Sequence, residues 1–394
     1  MTTRFGLDIF LSSIPGKLRR KKAGVLCHAA SITSSYVHVV DALLQTGDCT
    51  VGAIFGPQHG LYGQTQDNMI EWEGYRHPQL DIPVYSLYGE VRRPRPEMLL
   101  GLDALIIDLQ DVGARPYTYV WTMKLCMEAC AEAGIPVWVL DRPNPVAAMG
   151  FDGPMLDKGF FSFVGGARIP LCHRMTMGEL AVLFKNAGLP GLDLQVVWMD
   201  GWHRSMFWPD TGLPWVLPSP NMPTVETALV YPGMVLLEAT NLSEGRGTTR
   251  PFELCGAPYL ESRTFLATLT AQGPRGCVLR KHDFIPSFQK WAGQYCQGTQ
   301  IHVTDPRAYK PVVAGTDILA AAIESSGGKF AFNDPPYEYE ELKMPVDILS
   351  GDSRLRGCLA RGGDLRALQE SWQDDHAEFQ DVFDQVAHYT ESST

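Results

Sequence analysis

Along most of this chain, short apolar runs alternate with stretches in which hydrophobic residues recur every three or four positions. Residues 23–26, 51–55, 84–87, 104–107, Val137–Leu140 and 194–199 have the length and composition of buried strands, and residues 37–44, 96–100, 122–133 and 177–187 fill the intervals as helices. In the third of these helices Met123, Cys126, Met127 and Cys130 fall on one face, and Gly134 ends it. The last opens with Thr176 and Glu179 at capping-box spacing, so that carboxylate is expected to serve the backbone. Repeated β-α-β units of this length predict an α/β fold with a Rossmann-like, doubly wound parallel sheet.

The pattern breaks at residues 213–224, where LPWVLPSPNMPT carries four prolines and can sustain neither a helix nor a central strand. A domain boundary is placed there, giving a Rossmann-like domain over 1–215 and a smaller α/β domain over 216–394. The second part is expected to hold helices near 226–237 and 262–272, a loop over 240–251, strands near Ile301 and Phe330, and helix-prone sequence over 365–389.

The strand at 104–107 organises the first domain. It runs straight into Asp108, Gln110, Asp111, Gly113 and Arg115, and ligands of open α/β sheets bind beyond the carboxyl ends of strands. Other strand ends repeat the change of chemistry. Residues 51–55 lead into GPQHGLYGQTQDNMIE with Gln58 and His59; 84–87 lead to Tyr88, Glu90, Arg92 and Arg93; Val137–Leu140 lead to Asp141, Arg142 and Asn144. The anchor strand adds Tyr117 and Tyr119. All are expected to converge on one crevice. Two readings stay open for some of them: His59 as a hydrogen-bonded structural residue or a catalyst, and Asp141–Arg142 as an internal ion pair or a ligand contact.

Composition narrows the chemistry. With 45% hydrophobic and 20% charged residues the 394-residue chain can bury a large core, and its net charge of −11 argues against nucleic acid or an anionic membrane as the main partner. No apolar stretch is long enough to cross a membrane and the N-terminus carries no export signal, so a cytoplasmic protein is expected. The nine cysteines show no disulfide framework. No CxxC, HExxH, GxGxxG or P-loop spacing occurs, so neither a metal nor a nucleotide cofactor is expected. A homo-oligomer is left open.

Carboxylates, arginines, tyrosines and amides without a metal or a nucleophile elbow point to a hydrolase or lyase acting on a polyhydroxylated, anionic small molecule. Glycoside hydrolysis needs a proton donor at the leaving oxygen. Glu244 is the first choice, because Phe252 and Tyr231 are expected to desolvate it within the polar loop NLSEGRGTTRPFE. Gln58, His59 and Asp111 complete the catalytic candidates. Arg115, Arg142 and Arg246 are expected to pair with a substrate carboxylate, and Tyr117, Tyr119, Asp141, Asn144, Asn221 and Thr248 to bind substrate.

Six blocks carry a family resemblance: SLYG at 86–89, DLQDVGARPYTY at 108–119, LDRPNP at 140–145, MTMGELA at 175–181, GLPWVLPSPNMPT at 212–224 and NLSEGRGTTRPFE at 241–253. The chain resembles the NamZ-type exo-β-N-acetylmuramidases. The resemblance implies a Rossmann-like domain with a cleft, a smaller C-terminal domain, and release of terminal N-acetylmuramic acid from peptidoglycan fragments. It also implies a glutamate where this chain has Gln58, and an amide cannot donate a proton in that role. The function would then have moved to Glu71, Glu73, Glu90 or Glu244, or the protein is a diverged, non-catalytic sugar binder or a glycosidase of changed specificity.

Overall fold

The structure, a computed structural model, describes residues 2–392. The first half builds a seven-stranded sheet from β1 (Lys22–Cys27), β2 (Thr50–Gly56), β3 (Tyr75–Arg76), β4 (Pro83–Ser86), β5 (Ala104–Asp108), β6 (Val137–Leu140) and, after the two-stranded hairpin β7 (Asp152–Met155) and β8 (Pro170–Cys172), β9 (Leu194–Val197). The order is β3-β4-β2-β1-β5-β6-β9, with every pairing parallel except the edge pair β3–β4. The chain thus winds outward from β1 in both directions, the doubly wound arrangement expected. All residues of β5 and β6 are buried, as continuous apolar runs between two helical layers must be.

The helix Tyr119–Ala133 ends at Gly134, whose φ of 67° closes the αL cap. Its Met123, Cys126, Met127 and Cys130 are buried on the sheet side. Thr176 and Glu179 form the expected capping box of helix Met177–Gly188.

The second half packs a three-stranded antiparallel sheet, β10 (Leu254–Ala257), β11 (Cys277–Lys281) and β12 (Gln297–Val303) in the order β10-β12-β11, against helices. Helices Val225–Met234 and Pro311–Ser325 cross at two glycines. A Cβ on Gly233 would sit 1.8 Å from the Pro311 carbonyl oxygen, and one on Gly315 would sit 2.4 Å from that of Gly233. One continuous apolar cluster runs from Phe55 and Ile107 through the helix Tyr119–Ala133 to Val230, Ile318, Trp372 and Phe383.

One expectation for this half needs correction, and one helix went unread. No strand forms near Phe330: its neighbour Phe332 makes a single bridge to Thr240. Helix Pro311–Ser325 was not foreseen, because it is buried on nearly every side and shows no polar face to mark its period.

Candidate active site

The strand ends do not converge on one crevice. At the switch point between β1 and β5 the space is filled by protein. His28 is buried there, with Nε2 accepting from the Gln110 backbone N–H at 2.8 Å and Nδ1 3.1 Å from the Pro218 carbonyl oxygen. Tyr119 donates to the same carbonyl at 2.8 Å, so its hydroxyl is spent on the backbone rather than offered to a substrate.

Several other candidates also turn out to hold the fold. Arg142 pairs in a two-pronged contact with Asp108 (2.5 and 2.8 Å), both buried. Arg115 is fully buried and spends its guanidinium on the carbonyl oxygens of Pro154, Ile169, Leu349 and Ser350, tying the end of β5 to the C-terminal half. Neither arginine is available to a substrate carboxylate. Asp141 caps helix Met177–Gly188 by accepting from Gly178 N and Thr176 Oγ1, and it also accepts from Tyr389. Burial pushes its pKa up to about 7 against those bonds. Asn144 bridges Met175 O and Val146 N. Asp111 accepts from Gly113 N at 2.7 Å and faces His173 at 3.4 Å. Thr248 closes its own turn on Gly245 O.

What does come together is a small inner chamber where the loops after β2 and β5 meet the C-terminal half. Gln58, His59, Asn68, Tyr117, Thr118, Ser219, Asn221, Tyr231, Glu238, Arg246, Phe252, Tyr337 and Glu338 wall a space of about 30 Å³. An outer vestibule of about 330 Å³ shares Asn68, Glu238, Arg246 and Tyr337 as walls and adds Glu244 and Lys290. Five of the expected residues, Gln58, His59, Tyr117, Asn221 and Arg246, therefore line the inner chamber, and Glu244 lines the vestibule.

Gln58 is the hub of the chamber. Its Oε1 accepts from Thr118 at 2.7 Å, and its Nε2 donates to Asn68 Oδ1 at 3.0 Å and to Glu338 Oε1 at 3.3 Å. Asn68 donates onward to Glu238 Oε2 at 3.0 Å, which Tyr337 also reaches at 2.7 Å. Arg246 donates to Glu238 Oε1 at 2.7 Å while lying over the Phe252 ring. His59 holds a left-handed φ of 70° and turns Nδ1 to Thr65 O at 2.7 Å; burial lowers its pKa to about 4, so it is neutral and structural in character at pH 7.

Four polar atoms of chamber-lining residues are buried without a hydrogen-bond partner: Tyr117 OH, Asn221 Oδ1, Arg246 Nη1 and Arg246 Nε, the last of which still faces the Glu244 carboxylate at 3.3 Å. Buried polar groups are nearly always paired, so a hydroxyl, an acceptor and a cationic N–H left over among the residues of one chamber mark a place for a polar ligand.

The carboxyls are not alike. Burial disfavours the charge on Glu244, but Lys290 at 2.8 Å and Arg246 at 3.3 Å outweigh it and hold the carboxyl below its ordinary range. Glu244 is therefore a carboxylate at neutral pH and cannot be the proton donor expected of it. Glu71, Glu73 and Glu90 are exposed, outside the chamber. Glu338, in contrast, has its pKa raised to about 7, chiefly by burial and further by Glu238, against hydrogen bonds from Tyr88 at 2.8 Å and from Gln58. Sequence reasoning missed Glu238 and Glu338. The available signal was PPYEYEE at 335–341, an acid flanked by tyrosines behind prolines; only three-dimensional burial separates it from the other acids. Among the described residues no group of three or more His, Cys, Asp or Glu side chains stands together to hold a metal ion.

Residues 23–226 match the family described as exo-beta-N-acetylmuramidase NamZ, N-terminal, and residues 229–389 match exo-beta-N-acetylmuramidase NamZ, C-terminal. The peptidoglycan beta-N-acetylmuramidase NamZ of Bacillus subtilis (strain 168) is 41% identical over 369 residues, covering 93% of this chain and 87% of that protein. Two crystal structures of DUF1343 family proteins from Bacteroides fragilis NCTC 9343 share the fold. One has a TM-score of 0.87 at 27% identity over 99% of both chains, and the other 0.77 at 26% identity over 100% of both. The chain belongs to the exo-β-N-acetylmuramidase NamZ family.

Proposed function

We propose that the protein is a glycosidase that releases N-acetylmuramic acid from the non-reducing end of peptidoglycan fragments by hydrolysing its β-glycosidic bond. The observation that carries this reading is the trio of unpartnered buried groups, Arg246 Nη1, Tyr117 OH and Asn221 Oδ1, beside two carboxyls, Glu238 and Glu338. A muramyl residue offers matching chemistry: a lactyl carboxylate for a guanidinium, an acetamido group that both donates and accepts, and hydroxyls. Glycosidases work with carboxyls that flank the scissile bond and hold their protons differently, and Glu338, pushed up by burial, differs in that respect from Glu244, held down by Lys290 and Arg246.

The test is turnover of N-acetylmuramic acid β-1,4-linked to N-acetylglucosamine and of a chromogenic N-acetylmuramide, with the matching N-acetylglucosaminide as control. Release of free N-acetylmuramic acid, with the glucosaminide cleaved much more slowly, is the expected result. Tight binding of the muramyl disaccharide without release would instead make the protein a sugar-binding relative that has lost hydrolysis.

A further inference from the structure

We propose that Glu338 is the group that protonates the departing glycosidic oxygen, and that Gln58 and Tyr88 are positioning residues that aim its carboxyl; this rests on the hydrolytic reading above.

Of the carboxyls at the chamber, only Glu338 has no cationic partner. Glu238 is paired with Arg246, and Glu244 with Lys290 and Arg246. Glu338 is 4% exposed and receives two neutral donors, Tyr88 OH on Oε2 and Gln58 Nε2 on Oε1. It sits in backbone strain as well: its φ is 45° and that of Tyr339 is 67°, in the left-handed region that β-carbon-bearing residues avoid. Tyr339 is clamped in that conformation by the Arg92 guanidinium, 3.9 Å above its ring, and by a 3.1 Å hydrogen bond to Glu71. Strain kept by such contacts points a carboxyl into a cavity that a relaxed loop would not present.

The same arrangement explains an amide at position 58. Both N–H bonds of Gln58 are used, one on Asn68 Oδ1 and one on Glu338, and its oxygen is taken by Thr118. The amide thus stabilises the carboxylate that Glu338 becomes after giving up its proton. A carboxylate at 58 would instead share a proton with Glu338.

The step balances with one water. Glu338 gives its proton to the bridging oxygen as the bond from that oxygen to the anomeric carbon breaks. The electron pair of the bond leaves with the oxygen, so the aglycone departs as an alcohol. Water adds hydroxide to the anomeric carbon, and the proton that it sheds to solvent is the one that Glu338 regains before the next turnover.

Leaving groups that depart without a proton test this directly. Glu338→Gln should lose roughly a thousandfold in kcat/KM on the muramyl disaccharide, yet about tenfold or less on 4-nitrophenyl N-acetylmuramide, whose phenolate needs no proton. The rate of the variant on that aryl substrate should stay level as pH rises through about 7, where the wild-type rate on the disaccharide falls. Gln58→Leu should move the alkaline limb of the wild-type disaccharide profile to higher pH, since the N–H that favours the carboxylate is gone; a purely structural residue would change stability and leave that limb in place. A folded Glu338→Gln that loses equally on both substrates overturns the assignment, as does one that loses on neither. Should the variant not fold, the wild type decides alone. Its rates with a series of aryl N-acetylmuramides should depend weakly on leaving-group pKa at about pH 6 and steeply at about pH 8, on either side of the Glu338 titration, and equal slopes overturn the proposal. Wild type that cleaves no muramide at all defeats the hydrolytic reading itself, which separates the two failures.

Discussion

A buried charge is informative only together with its partner. Glu244 and Glu338 are both acids in loops and both almost fully enclosed, yet Lys290 and Arg246 in contact with the first hold it as an anion, whereas the second has no salt bridge and burial favours its protonated form. Removing the charge at 244 leaves Lys290 without its carboxylate and Arg246 with Glu238 alone. Glu244→Gln should therefore cost about 3 kcal/mol in urea unfolding while leaving the pH dependence of turnover unchanged; a shifted pH profile would restore Glu244 as the acid. Arg246 is the converse case, because its free Nη1 has work left to do only with a ligand. Arg246→Lys keeps a charge near Glu238 but loses the fork, and its KM should rise by at least about tenfold for N-acetylmuramides with little change for the N-acetylglucosaminide. Equal effects on both sugars would remove the lactyl carboxylate from that position. At this scale the sequence marked residue types well and their uses poorly. Arg115, Arg142, Asp141 and Asn144 have the chemistry of ligands, but whether a guanidinium meets a substrate or four carbonyl oxygens depends on burial that no local pattern records.

Elements were easier to read than sites. The core strands and the helices between them followed from short apolar runs and from caps such as Thr176 and Gly134, because each signal is local. Helix Pro311–Ser325 escaped, and Phe330 suggested a strand that does not exist, since a segment buried on all sides carries no period and a short aromatic run fits either element. The hidden helix matters, for it fixes the segment that ends at Glu238. Gly233 and Gly315 let it approach helix Val225–Met234 until backbone touches backbone. Gly233→Ala should cost about 3 kcal/mol and lower kcat by displacing Glu238, five residues on. Adding Gly315→Ala should cost less than its single effect, because both methyls pry open the same crossing. Strict additivity in a thermal-unfolding cycle would show that the two glycines act separately.

Across the whole molecule the two halves are joined by apolar core and by polar ties such as Tyr389 to Asp141, 2.6 Å apart and 248 positions distant in sequence. Two buried carboxyls on opposite sides of that junction, Asp141 and Glu338, both titrate at about 7 in the fold. In the unfolded chain such groups titrate at about 4. Between those values the fold keeps protons that the unfolded chain has released, so this contribution to stability is whole below about pH 4 and is lost as pH rises through about 7. His59 runs the other way: with a folded pKa of about 4 its contribution is whole above about pH 6.5 and is lost as pH falls through 4. Asp141→Asn should flatten the decline of the urea midpoint between about pH 4 and 7; an unaltered slope would mean that Asp141 is ionised throughout.

The inner chamber, at about 30 Å³, has room for a water molecule or two, whereas pockets that hold small ligands start at about 300 Å³. The vestibule of about 330 Å³ meets that size, so on the hydrolytic reading a sugar that passes from it to Glu338 has to enlarge the inner chamber by displacing the segment bearing Tyr337 and Glu338. Observed affinity is then the affinity of the open form multiplied by its occupancy, so an unlocking substitution can tighten binding without touching the sugar. Tyr339→Ala removes the latch formed by Arg92 and Glu71, and in stopped-flow measurements it should take up an unreactive muramyl ligand several times faster than the wild type. Equal association rates would place the gate elsewhere.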